Sequence, residues 1–170
     1  ERERPAYDTV AGRCFYVKER YLRMFEFQTG RDIMLGSLRR TAANTTPGIG
    51  GGPRSLQYNA FNKNDNNIII TSDAEGGSYE LISFGQDSHS SGDAQDVRRG
   101  SGLAAVFLAR DKFVVLDKSR QLVTKNFQNE TTKKSNPPLP GIDGLFAAGV
   151  SGRVILRSDD RVVLYDVLAR

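Results

Sequence analysis

A chain of 170 residues, 38% of them hydrophobic, is long enough for one domain with a core of its own. Its 24 Lys and Arg against 20 Asp and Glu leave a formal charge of +4 that is scattered among acids, as in Glu1-Arg2-Glu3-Arg4 and Lys18-Glu19-Arg20, which reads as a mixed solvated surface with no nucleic-acid footprint. No apolar run approaches the ~20 residues of a membrane-spanning helix, no signal-peptide pattern opens the chain, and Cys14 has no second cysteine to bond, so a reducing, cytoplasmic compartment with at most peripheral membrane contact is expected.

In chain order, Pro5 to Tyr7 forms one short strand and Asp8 to Gly12 turns the chain. RCFYVK (Arg13 to Lys18) and YLRMFEFQ (Tyr21 to Gln28) then read as a hairpin about Glu19-Arg20, with a turn over Thr29 to Asp32 before IMLGSL. Residues 41–53 (TAANTTPGIGGGP) are small and turn-forming and read as a loop. RSLQYN (Arg54 to Asn59), the β-branched run Ile68 to Thr71 and SYELISF follow, separated by turn chemistry at Asn62 to Asn67 and Asp73 to Gly77. Residues 85–100 (GQDSHSSGDAQDVRRG) read as a second polar loop. Ser135 to Gly141 carries three prolines that forbid helix and inner-strand pairing, which makes it a stiff crossing.

The stretch Ser101 to Lys134 carries the clearest signal. Leu103 to Arg110 and Phe113 to Leu116 are apolar on both alternating faces, Gln121 to Phe127 less so, and Gln128 to Lys134 is almost wholly polar. A burial gradient from strand to strand is unexplained in a plain sandwich and natural in a propeller blade, whose inner strands are pressed between neighbouring blades. The unit recurs 40 residues on: Val114-Val115-Leu116 maps to Val154-Ile155-Leu156, the turn Lys118-Ser119-Arg120 to Ser158-Asp159-Asp160, Val123 to Val163 and Asn126 to Asp166. Taking Phe15, Ile69, Val115 and Ile155 as centres of four second strands gives spacings of 54, 46 and 40 residues. The fold class is therefore all-β, a β-propeller of WD-repeat type with blades at residues 1–40, 54–84, 101–134 and 142–170. At about 40 to 45 residues per blade this is a four-blade fragment of a larger, seven-bladed ring. Val115 and Ile155 are expected at equivalent buried places, and Leu164 and Val167 near an end face.

The candidate sites read as structure. Gly48 to Gly52 lacks the lysine and the following helix of a phosphate cradle. His89, the one histidine, sits among Ser88, Ser90 and Ser91 with nothing resembling a nucleophile elbow. Asp73, Glu75, Asp159 and Asp160 are turn carboxylates, and Asn62 to Asn67 lacks the glycine and terminal glutamate of a calcium loop. Asn44 and Asn129 open glycosylation patterns that matter only in a secreted chain, and Lys133-Lys134 is a surface basic pair with a lesser affinity for acidic lipid or an acidic partner. No catalytic, cofactor-binding or metal-ligating residue is assigned, and no cofactor is expected.

Several words of the sequence resemble the α subunit of coatomer: ERERPAY at Glu1, YVKERYLR at Tyr16, SG at Ser101 leading into LAAVFLARDKFVVLD, KNFQNETTKK at Lys125 and LRSDDRVVLYDV at Leu156, in order and spacing across nearly the whole chain. Tyr165-Asp166 is similar to the Trp-Asp pair that ends a typical WD-repeat strand, in a chain without tryptophan. The resemblance implies a portion of that family's second N-terminal propeller. It also implies a place in the COPI coat at Golgi membranes and vesicles, other coatomer subunits as partners, and dilysine cargo signals bound at the preceding propeller, outside this chain. A non-enzymatic structural module is expected. The alternatives are a WD-like scaffold of another assembly, or a self-closed small propeller hydrolase, which would need acids that RSLQYN, LAAVFLAR and DGLFAAG scarcely offer.

Overall fold

The computed structural model describes residues 6–19, 21–37, 53–62, 65–84 and 96–168. They form fifteen strands in four antiparallel sheets, each built from strands consecutive in sequence. The first sheet runs β1 (Tyr7–Val10), β2 (Arg13–Lys18), β3 (Tyr21–Glu26) and β4 (Arg31–Ser37); the second β5 (Pro53–Tyr58), β6 (Asn66–Ser72), β7 (Ser78–Phe84) and β8 (Asp96–Ser101). The third runs β9 (Ala104–Ala109), β10 (Lys112–Leu116), β11 (Leu122–Asn126) and β12 (Thr131–Ser135), and the fourth has three strands, β13 (Gly144–Ala147), β14 (Arg153–Arg157) and β15 (Val162–Asp166). A single 3-10 turn, Ala74–Gly76, joins β6 to β7.

Because side chains alternate across a strand, each sheet shows one set of residues to the sheet before it and the other to the sheet after it. Phe15, Val17, Leu22 and Met24 meet Leu56, Tyr58, Ile68, Ile70 and Ile82 between the first two sheets, where the Phe15 and Tyr58 rings stack with centroids 4.7 Å apart. Ile69, Tyr79 and Leu81 turn the other way, onto Ala105, Phe107, Phe113 and Val115. Val114, Leu116 and Leu122 in turn meet Leu145, Val154, Leu156 and Val167. Each such fully buried side chain stabilises the stack by ~1.5–3 kcal/mol relative to exposure. Four sheets are thus joined by three apolar interfaces, which makes an open arc of blades. The gradient within a blade is as the sequence suggests: β9 and β10 are buried on both faces, β11 loses burial at its end, and β12 is largely exposed.

Several expectations are corrected. Asp8 to Val10 belong to β1, and the turn is confined to Ala11 and Gly12, both at positive φ. The polar stretch read as a loop over 85–100 holds strand β8 from Asp96, paired with β7 from Ser78↔Ser101 to Ser83↔Asp96; residues 85–95 lie outside the described residues. Val167 is not at an end face but fully buried against the third sheet. Val115 and Ile155 are not equivalent. Val115 faces the preceding sheet, whereas in β14 it is Val154 and Leu156 that do so and Ile155 looks outward, half-buried. An alignment at 40 residues is one residue out of phase there, and in a strand one residue reverses the face.

Candidate functional site

The first strand of each sheet is the innermost one, and β1, β5, β9 and β13 together wall a cleft of about 730 Å³ on the concave side of the arc. Side chains of these strands also stitch the arc together. Asp8 Oδ2 accepts the Tyr58 N–H at 2.9 Å, and Gln57 Oε1 accepts the Phe107 N–H at 2.8 Å, so an acceptor on one innermost strand satisfies a donor on the next. Strands at the centre of a propeller have one unpaired edge, and these bonds supply part of what that edge needs.

Three arginines sit at the rim where β5, β9 and β13 begin. Arg54 donates to Asp73 Oδ1 at 3.1 Å and to the Leu103 carbonyl just before β9. Arg120, on the β10–β11 turn, donates to the Ile142 carbonyl just before β13. Arg157 Nε donates to Asp143 Oδ1 at 3.0 Å, and its guanidinium lies 5.2 Å from the Phe146 ring centroid. All three line the cleft together with Asp8 and Asp143, over an apolar floor that includes Leu56, Leu116 and Leu145. The floor was legible in the apolar inner strands. The arginines were not, because a lone Arg at a strand end or turn carries no pattern until the sheets are assembled.

The two ends of the arc differ. On the outer face of the first sheet, Tyr16 Oη donates to Asp32 at 2.7 Å and Arg23 Nε to the same carboxyl at 3.1 Å. The Tyr16 hydroxyl first, and then the guanidinium, hold the Asp32 carboxyl below its ordinary range. Tyr7, Phe27 and Met34 are exposed beside or near this network. The outer face of the fourth sheet carries Phe146, Ile155 and Leu164 in cross-strand register, with Arg153, Arg157 and Asp166 beside them on the same face, and Leu164 is 59% and Val162 69% exposed. That sheet also lacks, among the described residues, the fourth strand present in the other three.

The residues weighed from sequence are dispersed. Gly48 to Gly52, His89, Ser88, Ser90, Ser91 and Asn44 lie outside the described residues. Asp73 is taken by Arg54, while Asp159 and Asp160 are exposed at the β14–β15 turn. Asn59 and Asn67, both buried, and the half-buried Asn62 form one network: Asn62 and Asn59 donate to Asn67 Oδ1, and Asn59 also donates to the Arg110 carbonyl of the next sheet at 3.1 Å. Asn129 accepts from Tyr79 Oη at 2.5 Å and donates to Arg99 O at 2.8 Å, so its amide is engaged rather than presented as a glycan acceptor. Lys133 Nζ donates to Val167 O at 2.9 Å, tying the outermost strand of one blade to the next. Burial, with a smaller effect from the Asp8 charge, pushes the Cys14 thiol up. Among the described residues no group of three His, Cys, Asp or Glu is placed to hold a metal, and no helix is long and apolar enough to cross a membrane.

No protein-family model matches the chain. Among solved structures it is similar to BamB from Moraxella catarrhalis (TM-score 0.58, 14% identity, 93% of this chain and 41% of that one) and to the WD40 domain of SCAP from fission yeast (TM-score 0.51, 7% identity, 97% and 39%). At such identities these establish the fold, an all-β propeller of WD-repeat type. Among curated proteins it is 43% identical over 172 residues to "Coatomer subunit alpha-1" of Arabidopsis thaliana, 40% over 173 residues to "Coatomer subunit alpha-1" of Oryza sativa subsp. japonica and 31% over 169 residues to "Coatomer subunit alpha" of Dictyostelium discoideum. The alignments cover 98 to 100% of this chain and 13 to 14% of those proteins. Along its whole length, then, the chain is similar to one segment of coatomer subunit alpha, and it spans about one seventh of the length of these relatives.

Proposed function

We propose that this chain is a structural and interaction module of the COPI vesicle coat and has no chemistry of its own. The observation that carries the reading is the whole-length similarity to coatomer subunit alpha, at 40 to 43% identity in the plant proteins. The geometry supports it: stacked blades present rigid rims and side faces on which other chains can dock. Both carboxylates of the cleft are already committed, Asp8 to a backbone N–H and Asp143 to Arg157, which speaks against the hydrolase alternative. The four blades read as residues 1–40, 54–84, 101–134 and 142–170, within a larger, seven-bladed ring. The partners proposed are the other coatomer subunits. The place is the cytosolic face of Golgi membranes and coated vesicles, and the process is transport from Golgi to endoplasmic reticulum and within the Golgi. Dilysine signals would bind at a preceding propeller and not here.

The test is a pull-down of the full-length protein from cytosol followed by identification of the chains that accompany it. Recovery of the other coatomer subunits in fixed proportion is expected. Recovery of a different scaffold complex without them would favour the other assembly.

A further inference from the structure

The four sheets repeat one strand pairing, so positions can be matched from blade to blade. Between first and second strands, Tyr7↔Tyr16 corresponds to Leu56↔Ile70, Ala105↔Val115 and Leu145↔Leu156. Two residues earlier on the second strands stand Cys14, Ile68, Phe113 and Val154. In the second, third and fourth sheets these positions face the preceding sheet and are buried: Leu56 is 6%, Ala105 5% and Leu145 5% exposed, and Ile68, Phe113 and Val154 are 0% exposed. In the first sheet they lie open, with Tyr7 60% exposed and Cys14 and Tyr16 only half-buried. Phe27 repeats the contrast. Its N–H donates to Gly12 O as the Val167 N–H does to Gly152 O, yet Phe27 is exposed where Val167 is fully buried. The charges on this face also have a counterpart inside the stack. Glu80 pairs with Ile70 as Arg23 pairs with Tyr16, and each is ion-paired to the next strand of its own sheet, Glu80 to Arg99 and Arg23 to Asp32. Glu80 is buried between the first two sheets, so an ion pair at this place is compatible with a covered face.

We infer that the outer face of the first sheet is a blade seam. In the full-length protein another blade of the same chain covers it, resting apolar side chains on Tyr7, Cys14 and Phe27 and presenting an oxygen acceptor to Arg23. The apolar part follows from the three matching interfaces, each filled by a sheet of this chain. The acceptor follows from the guanidinium, which gives Asp32 only its Nε–H out of five N–H donors and would otherwise be buried with donors unsatisfied. The Asp32 carboxylate needs nothing from the cover, since Tyr16 and Arg23 both donate to it. The inference deepens the reading of a larger ring and rests on it for the source of the covering blade.

The experiment is hydroxyl-radical footprinting of the purified full-length protein, free of other chains, read by mass spectrometry at Tyr7. Tyr79, a residue of the same chemistry that is 1% exposed, calibrates the buried rate, and the urea-unfolded protein calibrates the open one. Tyr7 is expected to oxidise at a rate nearer that of Tyr79 than its own rate in urea. A rate nearer the unfolded one would overturn the inference, and so would protection that appears only when other chains are added, since the cover would then be a partner. As a second measurement, Tyr7→Thr keeps a β-branched residue in the strand and should lower the melting midpoint of the full-length protein by a few degrees. An unchanged midpoint would also overturn the inference, because truncating an open side chain costs little. The pull-down reads coat membership and the footprint reads the seam, so each can fail alone.

Discussion

Tyr79 joins the second and third sheets, and its ionisation should weaken the joint in a way that can be calculated. The side chain is 1% exposed, its ring stands edge-on to Phe113 at 5.5 Å, and its hydroxyl donates to Asn129 Oδ1 at 2.5 Å. Burial is the main cause that pushes its pKa from 10.0 up to about 12, opposed only in part by the Asn129 contact. The folded-state value is thus raised above the unfolded one. Stability is undiminished below about pH 10, where neither state ionises, and falls as pH rises toward about 12, because the unfolded chain gives up a proton that the folded chain retains. At one pKa unit per ~1.4 kcal/mol, the loss is about 1 kcal/mol at pH 11 and approaches roughly 2–3 kcal/mol above pH 12.

Denaturant unfolding of a monodisperse polypeptide containing this chain, at pH 8 and 11, should show that extra alkaline loss in the parent and not in Tyr79→Phe. The variant itself should cost ~1 kcal/mol at pH 8 for the lost bond to Asn129. The comparison cancels the lysines and other tyrosines that titrate in both proteins. NMR of Cζ-labelled tyrosine should show one ring, absent in the variant, that titrates near 12. An equal alkaline loss in both proteins, or a Tyr79 titration near 10, would refute the packing argument.

Three further expectations concern packing within and between the sheets. Arg99→Met strands the Glu80 carboxylate, 5% exposed and 3.0 Å from the guanidinium, and should cost ~3–5 kcal/mol, most of it recovered in the Glu80→Met, Arg99→Met double variant by urea unfolding. Leu156→Ala, at an interface, should cost ~2–5 kcal/mol, while Ile155→Ala, on the open face, should cost clearly less in the 170-residue chain; equal costs would contradict the face assignment. At Gly77, φ is +125° and a Cβ would stand 2.6 Å from the Gly102 carbonyl oxygen, so Gly77→Ala should destabilise by ~1–3 kcal/mol in a thermal melt.

What the sequence revealed and what it hid follow from the same physics. Inner strands such as LAAVFLAR and KFVVL advertise themselves because both faces are buried. The strand DVRRGS, β8, is outermost in its sheet and owes its conformation to pairing with β7 rather than to its own composition, so nothing local distinguishes it from a loop. The 40-residue repeat matches β14 to β10 with its faces reversed, since the turn between Leu116 and Leu122 is one residue longer than that between Arg157 and Val162 and strand alternation makes such a slip consequential. Val167, past the end of β15, was assigned to an open face, yet its N–H donates to Gly152 O at 2.8 Å, which folds it back into the core. The rim arginines belong to three separate blades, and only assembly of the arc brings them to one cleft.

The central claim is that these four sheets are consecutive blades of a larger ring, with Phe146, Ile155, Val162 and Leu164 forming a face that a further blade covers. The direct measurement compares the 170-residue chain with a polypeptide extended past Arg170 by about three blades, using light scattering and thermal melting at equal concentration. Uncovered apolar area is worth about 25 cal/mol per Å² when removed from water, so the short chain should self-associate and melt lower, and the longer one should be monomeric and more stable. A short chain that is monodisperse and melts cooperatively at the same temperature as the long one would contradict the open arc and favour a self-closed propeller.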